Sequence, residues 1–190
     1  LEVAPDSITI TRMRDGRYLQ VNEAFCQMSG YSREEALGKT PFDLNLFANP
    51  GDRERFIKIL KEKGDINGFE IQYRKKDEIT IDTLLSARPL EYGKEECLVA
   101  VVTDVTKLKR TEGALEKRLA YEKMLADISA RAVFVEDISR CLDECLEIMG
   151  KTLNVSRIYV FEHSHESGTV SNTIEWVSEG IPPQKANLQK

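Results

Sequence analysis

A charged run in the middle of the chain, from Val105 to Asp137, most constrains what the sequence can fold into. The run contains no proline and a single glycine, and it is rich in Lys, Glu, Leu and Ala, which are strong helix formers. It therefore predicts one long helix without a packed core of its own. A helix in this position within 190 residues favours two small domains over one large domain.

Apolar residues in the second half of this helix follow the four-three spacing of a coiled-coil seam. The seam residues are Tyr121, Leu125, Ile128, Ala132 and Val135. Three leucines nearer the start of the helix, Leu108, Leu115 and Leu119, do not share the register, so the seam is expected to break near Leu119. Because exposed apolar stripes are normally covered, we expect a homodimer in which two copies of the helix lie parallel.

Charge and composition exclude several classes of partner. The net charge of −5 and the pI near 5.3 predict no nucleic-acid or anionic-membrane surface. No apolar run reaches the length of about eighteen residues that membrane insertion requires. The chain shows no secretory leader, and its four cysteines have no disulfide spacing, so we expect reduced thiols and a cytoplasmic location. Because the chain begins at Leu1, we expect it to belong to a longer protein.

The residues before the long helix predict an antiparallel sheet interrupted by helices. Alternating segments at Ser7–Thr11 and Tyr18–Asn22 flank a turn and predict a hairpin. Short helices are predicted before Gly30, after a capping box at Ser32, and after Asn49. Three further strands are predicted at 69–73, 79–87 and 97–102. The fold class is therefore α+β, with a five-stranded antiparallel sheet and helices on one side.

Three segments of this region resemble PAS sensory domains. They are Gly16–Phe25, Ser29–Lys39 and Thr103–Thr106, and the resemblance covers about residues 1–106 in the order of the family. The Asp-Gly turn of the family stands here as Asp77-Glu78, a minor departure. The resemblance implies a sheet and helices that enclose a small pocket, and a signal that leaves through the last strand. We assign the pocket walls to Phe25, Met28, Phe42, Phe56, Leu60, Tyr73 and Leu85.

The resemblance also reduces the set of cofactors that the pocket is expected to hold, although it does not identify one. Haem-binding members ligate iron through a helix histidine, and the two histidines here, His163 and His165, lie outside the PAS-like region. Photoactive flavin members carry a cysteine directly after the position of Gly38-Lys39, where this chain has none, and Cys26 lies one helix earlier. We therefore expect neither haem nor a photochemical flavin adduct. Non-covalent binding of a flavin is still compatible with the sequence, because binding alone does not require the cysteine.

The junction between the last strand and the long helix reads Asp104-Val105-Thr106. Asp and Thr are helix-capping types because their side-chain oxygens accept from free N–H groups of the first helical turn. The resemblance implies more: this position couples the sheet to the helix in PAS modules, often through an ion pair from the Asp to a basic residue. Arg74 and Lys75 are candidates for that residue, and Asp104→Ala in a longer protein would then disturb regulation.

The residues after the helix predict a second helix, a strand, a polar turn and another strand. Apolar residues recur at helical spacing from Ile138 to Leu153, and strands are predicted at Arg157–Phe161 and Thr173–Val177. This order, with the run from Asn172 to Gln184, resembles the N-terminal half of a GAF domain. The predicted organisation is a PAS-like domain at 1–106, a signalling helix at 107–137 and a partial GAF-like α/β module at 138–190.

Neither a metal site nor a catalytic motif is complete. Cys141 with Cys145 and His163 with His165 form two pairs, but a structural zinc site needs four convergent ligands, and nothing joins the pairs. Gly38-Lys39-Thr40 lacks the earlier glycine of a phosphate loop. We therefore expect a non-catalytic sensory region of a signal-transduction protein, such as a histidine kinase of a two-component system or a diguanylate cyclase. It would pass a small-molecule or partner signal through a dimeric helix to a downstream output domain. The alternative is a ligand-free PAS module for protein interaction and dimerisation.

Overall fold

The computed structural model describes residues 4–133, 137–165 and 168–184. The chain forms two compact units whose border lies between Thr111 and Glu112. None of the helices in the described part of the chain is long and apolar enough to cross a membrane.

The first unit is built on a five-stranded antiparallel sheet, which confirms the predicted α+β fold. Its strands, in chain order, are β1 (Ser7–Arg12), β2 (Tyr18–Val21), β3 (Ile66–Arg74), β4 (Thr80–Tyr92) and β5 (Glu95–Asp104). They lie in the order β2-β1-β5-β4-β3. Strands β4 and β5 extend beyond the predicted limits because their hairpin ends in mostly exposed pairs such as Glu91 with Glu96. Such pairs carry no apolar alternation for the sequence to show.

Three helices follow β2 and precede β3, and each begins at a side-chain cap. They are α1 (Glu23–Ser29), α2 (Arg33–Ala36) and α3 (Pro50–Lys63). Ser32 and Glu35 form the predicted capping box. Asn22 caps α1 by accepting from the N–H of Phe25, and the same side-chain oxygen accepts from the N–H of Ile8 at 2.9 Å. One buried amide therefore fixes α1 against β1.

The core of the first unit lies between this sheet and its helices. Its least exposed large side chains include Tyr18, Val21, Phe25, Leu46 and Val102. They come from β2, α1, the segment before α3, and β5, so the core joins elements from both ends of the unit. Burial of this apolar surface is the main force that holds the sheet and helices together.

The long helix α4 (Thr106–Ala132) follows β5 and has no buried residue. The prediction that it continues to Asp137 is wrong. Asp137 instead caps the next helix, where its carboxylate accepts from the N–H of Arg140 at 3.2 Å. Val135, the last residue of the predicted seam, lies outside the described residues.

The described part of the second unit contains α5 (Ile138–Leu153), β6 (Arg157–Ser164) and β7 (Thr169–Val177). The two strands pair antiparallel, in the predicted order of helix, strand and strand. Gly150 of α5 lies directly against Trp176 of β7, and a Cβ atom at position 150 would come within 2.1 Å of the indole ring. This contact requires glycine at that point of the helix.

Candidate ligand cavity and helix junction

A cavity of about 600 Å³ lies beside α3 in the first unit, within the size range of small-molecule sites. Its apolar walls come from α3, from the β4 and β5 strands, and from the segments around residues 13 and 41–47. The apolar lining residues are Met13, Pro41, Phe47, Phe56, Ile57, Leu60, Pro89 and Leu98. The polar lining includes Thr11, Thr40 and the charged residues Arg12, Arg14, Asp15, Arg53 and Lys61. The arrangement is an apolar chamber with charges at its edge.

The residues assigned to the pocket from sequence divide into three groups. Phe56 and Leu60 line the cavity. Phe25, Tyr73 and Leu85 belong instead to the packed core, and Met28 packs against that core. Phe42 does not line this cavity: its side chain is 62% exposed, and its ring lies under the Arg53 guanidinium, 5.3 Å from the ring centroid. The cavity therefore lies beside α3, whereas Phe25, Tyr73 and Leu85 are packed in the core.

Two buried tyrosines, Tyr18 and Tyr73, belong to the packed core. The Tyr18 ring packs 5.3 Å from the Phe25 ring. Burial raises the pKa of Tyr73 to about 12. Burial also raises the pKa of Tyr18 well above its usual value, and the neighbouring Tyr73 adds to this effect.

These pKa shifts predict how stability depends on pH. Unfolded tyrosine loses its proton near pH 10, whereas the folded pair keeps its protons to a higher pH. The stabilisation is therefore complete below about pH 10 and is lost as the pH rises toward 12. Between pH 9 and 11, urea unfolding should show a loss at least about 1 kcal/mol larger in the native chain than in the variant with both Tyr18→Phe and Tyr73→Phe. The double variant removes both buried hydroxyls, so neither group titrates. Parallel pH profiles would contradict the buried pair.

The junction between β5 and α4 is fixed by hydrogen bonds to one residue of β4. Thr106 Oγ1 accepts from the N–H of Asp82 at 3.0 Å and donates to its carbonyl oxygen at 3.4 Å. The N–H of Val105 donates to the same carbonyl at 2.9 Å. Asp104 Oδ1 accepts from the N–H of Thr106 at 2.8 Å. The first turn of α4 is therefore attached to the backbone of β4.

An ion pair adds a second attachment between the sheet and α4. Lys109 Nζ lies 2.6 Å from Glu70 Oε2, and Glu70 belongs to β3, the strand beside β4. Sequence reasoning missed Asp82, Glu70 and Lys109. Only the strand register, which places Thr83 opposite Asp104, brings Asp82 next to the start of the helix.

The ion pair expected between Asp104 and a basic residue of β3 is not among the contacts of the described residues. Arg74 donates instead to the carbonyl of Ala48 at 3.2 Å, and its Nε lies 3.7 Å from the Glu78 carboxylate. The backbone N–H of Lys75 donates to Ile79 within the β3–β4 turn. Both basic residues lie where β3 ends and the chain turns into β4, and these contacts are with Ala48, Glu78 and Ile79.

The cysteines and histidines lie apart from the cavity lining. All four cysteines are free, and burial raises the pKa of the Cys26 and Cys145 thiols. The His163 and His165 rings lie 4.8 Å apart, edge to face, in the second unit. Across residues 4–133, 137–165 and 168–184, no three His, Cys, Asp or Glu side chains converge as a metal site requires.

Comparisons with known proteins agree with this architecture. The family model for the PAS domain matches residues 5–107. The probable diguanylate cyclase DgcE of Escherichia coli strain K12 is 32% identical over 108 residues, which are 52% of this chain but only 9% of the cyclase. The PAS domain of a Colwellia psychrerythraea protein is 24% identical, with a TM-score of 0.47 over 56% of this chain and 91% of that one. An RNA-binding light-oxygen-voltage receptor is 20% identical, with a TM-score of 0.52 over 62% of this chain and 35% of that one.

Proposed function

The chain belongs to the PAS domain family, and from that premise we propose that it is the sensory region of a signal-transduction protein. Its cavity holds a small-molecule signal, and the occupied cavity changes how α4 is held. The observation that carries this proposal is the junction, where Thr106 is hydrogen-bonded to Asp82 of β4. PAS domains are sensory modules typical of signal-transduction proteins. The proposal adds the path by which the signal passes from the cavity to α4 in this chain.

The two strands that border the cavity also hold the helix. Pro89 of β4 and Leu98 of β5 are cross-strand partners and line the cavity. The same strands continue to Asp82 and Asp104 at the junction. A ligand that shifts the Pro89–Leu98 pair therefore acts on the strands that anchor Thr106. Such a ligand would favour one of two packings of α4, which is a population shift.

The proposed organisation keeps the three parts predicted from sequence and corrects the end of the helix. Residues 1–106 form the PAS domain and 138–190 the first part of a GAF-like module, with α4 (Thr106–Ala132) as the signalling helix between them. The helix, strand and strand of the second unit support this last assignment. We infer that the region is non-catalytic and cytoplasmic, and that it regulates an output such as a histidine kinase or diguanylate cyclase. The similarity to the cyclase covers only 108 residues, which are 9% of that protein. The assignment of an output domain is therefore part of the proposal.

Thr106→Val tests the junction because it removes the hydroxyl while keeping the shape of the side chain. The loss of two hydrogen bonds to Asp82 should free the first turn of α4, and amide hydrogen exchange at residues 106–111 should rise about five- to thirtyfold, which corresponds to about 1–2 kcal/mol. Thr111→Val is the matched control, since the Thr111 hydroxyl donates within the helix, to the carbonyl of Lys107. Equal effects of both substitutions would remove the special role of Thr106.

We also infer that α4 forms the homodimer contact through its second half. Leu108, Leu115 and Leu119 are each 56% exposed, and Leu125 is 58% exposed. At about 100° per residue, the first three leucines lie roughly a third of a turn from the stripe that contains Leu125. One straight seam therefore cannot cover both stripes, and the four-three spacing assigns the parallel contact to Tyr121, Leu125 and Ile128.

Sedimentation equilibrium distinguishes the two stripes. Leu125→Asp should weaken dimerisation at least about tenfold, because it places a charge in the seam. Leu108→Asp makes the same chemical change at an equally exposed leucine and should leave the dimer nearly unchanged. A monomeric native chain, or a larger effect at Leu108, would contradict this assignment. The alternative function, a ligand-free interaction module, uses the same helix, but the 600 Å³ cavity favours a ligand.

A further inference from the structure

We propose that the cavity selects an organic carboxylate with an apolar body, and that Arg53 and Lys61 form the positive rim that recognises the carboxylate. This inference rests on the proposed role of the cavity as a ligand site and adds the chemical class of the ligand. Arg53, Ile57 and Lys61 recur every four residues along α3, so they share one side of the helix. All three line the cavity.

The apolar walls of the cavity favour a ligand with an apolar body. Phe47 and Phe56 contribute aromatic rings, and Leu60 and Leu98 contribute aliphatic surface. An apolar chain or ring placed against these side chains gains the free energy of removing its own surface and theirs from water. A wholly polar ligand would instead lose its hydration against these walls without regaining hydrogen bonds there.

The ligand is expected to be negatively charged because two cations of the cavity lining have no carboxylate partner among the described residues. On α3, Arg55 pairs with Asp52 at 3.0 Å and Lys58 pairs with Glu62 at 4.0 Å. Arg53 and Lys61 form no ion pair with any residue that the structure describes. The position of the Arg53 guanidinium is held by the Phe42 ring beneath it. An exposed phenylalanine thus has a role at the rim.

The other two cations of the lining, Arg12 and Arg14, already have carboxylate partners. Arg12 Nε lies 3.0 Å from Glu95, and its Nη1 lies 3.2 Å from Asp15. Arg14 lies 3.7 Å from the same Glu95 carboxylate. The free positive charge of the lining is therefore concentrated on α3. Arg53 and Lys61 stand about 12 Å apart along the helix axis. A carboxylate on this side of the cavity therefore contacts one of them and is attracted by both, whereas an ammonium group is repelled by both.

An NMR titration of the native chain with three probes of equal chain length tests the proposal. The probes are octanoate, octan-1-ol and octylammonium, each below the concentration at which it aggregates. Octanoate should shift the amides of α3 and of the strands around Leu98, and it should bind at least about fivefold more tightly than octan-1-ol, as expected for exposed charge pairs. Octylammonium should bind more weakly than the alcohol.

Two double variants separate the rim from the general charge of α3. Arg53→Gln with Lys61→Gln should weaken octanoate binding about fivefold or more and leave octan-1-ol binding unchanged. The matched control is Lys58→Gln with Lys63→Gln, which removes the same charge from the same helix at positions that do not line the cavity. The control should leave both ligands unchanged.

The outcomes distinguish this inference from the function on which it rests. If octan-1-ol binds as tightly as octanoate, or if the rim variant binds octanoate normally, the carboxylate assignment is overturned and the cavity remains a ligand site. If none of the three probes shifts residues of the cavity, the inference is overturned together with the ligand role of the cavity. The Thr106 test of the junction is independent of all three probes.

Discussion

Phe25→Ala is expected to lower the free energy of unfolding of the first unit by about 3–5 kcal/mol, the range for a buried phenylalanine. The Phe25 side chain is 2% exposed. It packs in the core that joins α1 to the sheet, and its ring lies against Tyr18. Removing the ring leaves a cavity that the packed neighbours cannot fill. Urea unfolding of the first unit, followed by circular dichroism, measures the loss.

Phe42→Ala is the matched control for Phe25→Ala. The chemical change is the same, but the Phe42 side chain is 62% exposed, and its ring lies under the Arg53 guanidinium. Its loss should cost less than about 1 kcal/mol. If the two substitutions cost the same, Phe25 would not belong to the core, and the division of the predicted pocket residues into core and surface would be wrong.

Gly150→Ala is expected to destabilise the second unit by about 1–3 kcal/mol through overpacking. The substitution normally has the opposite sign, because alanine is the better helix former by about 1 kcal/mol. Here the new methyl group would stand 2.1 Å from the ring of Trp176, so either the indole or α5 must move. Trp176 is the single tryptophan of the chain, and its fluorescence reports the displacement directly.

Gly113→Ala provides the control within a helix. Gly113 lies in α4, and a Cβ atom there would meet nothing within 4 Å. The substitution should stabilise α4 by up to about 1 kcal/mol and leave the Trp176 emission spectrum unchanged. A stabilising effect at Gly150 equal to that at Gly113 would show that Trp176 does not pack on α5 as described.

The sheet and the helix starts could be predicted because each has a local signal. The alternation of polar and apolar residues predicts β1 and β2 as strands, although in β1 the polar Ser7, Thr9 and Thr11 are buried together with Ile10. The capping box at Ser32 marks the start of α2. The sequence also contains a signal for the end of α4, which the prediction of a helix to Asp137 did not use. Asp137 is a capping residue type placed directly before the apolar helical spacing of Ile138 and Leu142.

The cavity and the junction could not be predicted in the same way because they depend on packing between distant segments. Phe25 and Phe56 are both apolar residues on short helices, yet one is enclosed in the core and the other borders an open space. Asp82 reaches Thr106 only through the register of β4 with β5. The Lys109–Glu70 ion pair joins residues whose charges look like ordinary surface charges in the sequence.

The proposed function requires that the cavity and α4 are coupled through Thr106. Leu60→Trp replaces an aliphatic side chain of the cavity wall with a larger, aromatic one. The indole ring then imitates a bound ligand. Amide hydrogen exchange at residues 106–111 is measured in four chains: native, Leu60→Trp, Thr106→Val and the double variant. Leu37→Trp makes the same chemical change at a surface leucine that is 41% exposed and does not line the cavity.

Leu60→Trp should change the exchange of these α4 amides by about fivefold or more in the native background, and the change should shrink when Thr106 is valine. Leu37→Trp should leave the same amides unaffected. Coupling through Thr106 is contradicted if Leu60→Trp fills the cavity and leaves α4 unchanged, or if its effect is equally large without the Thr106 hydroxyl.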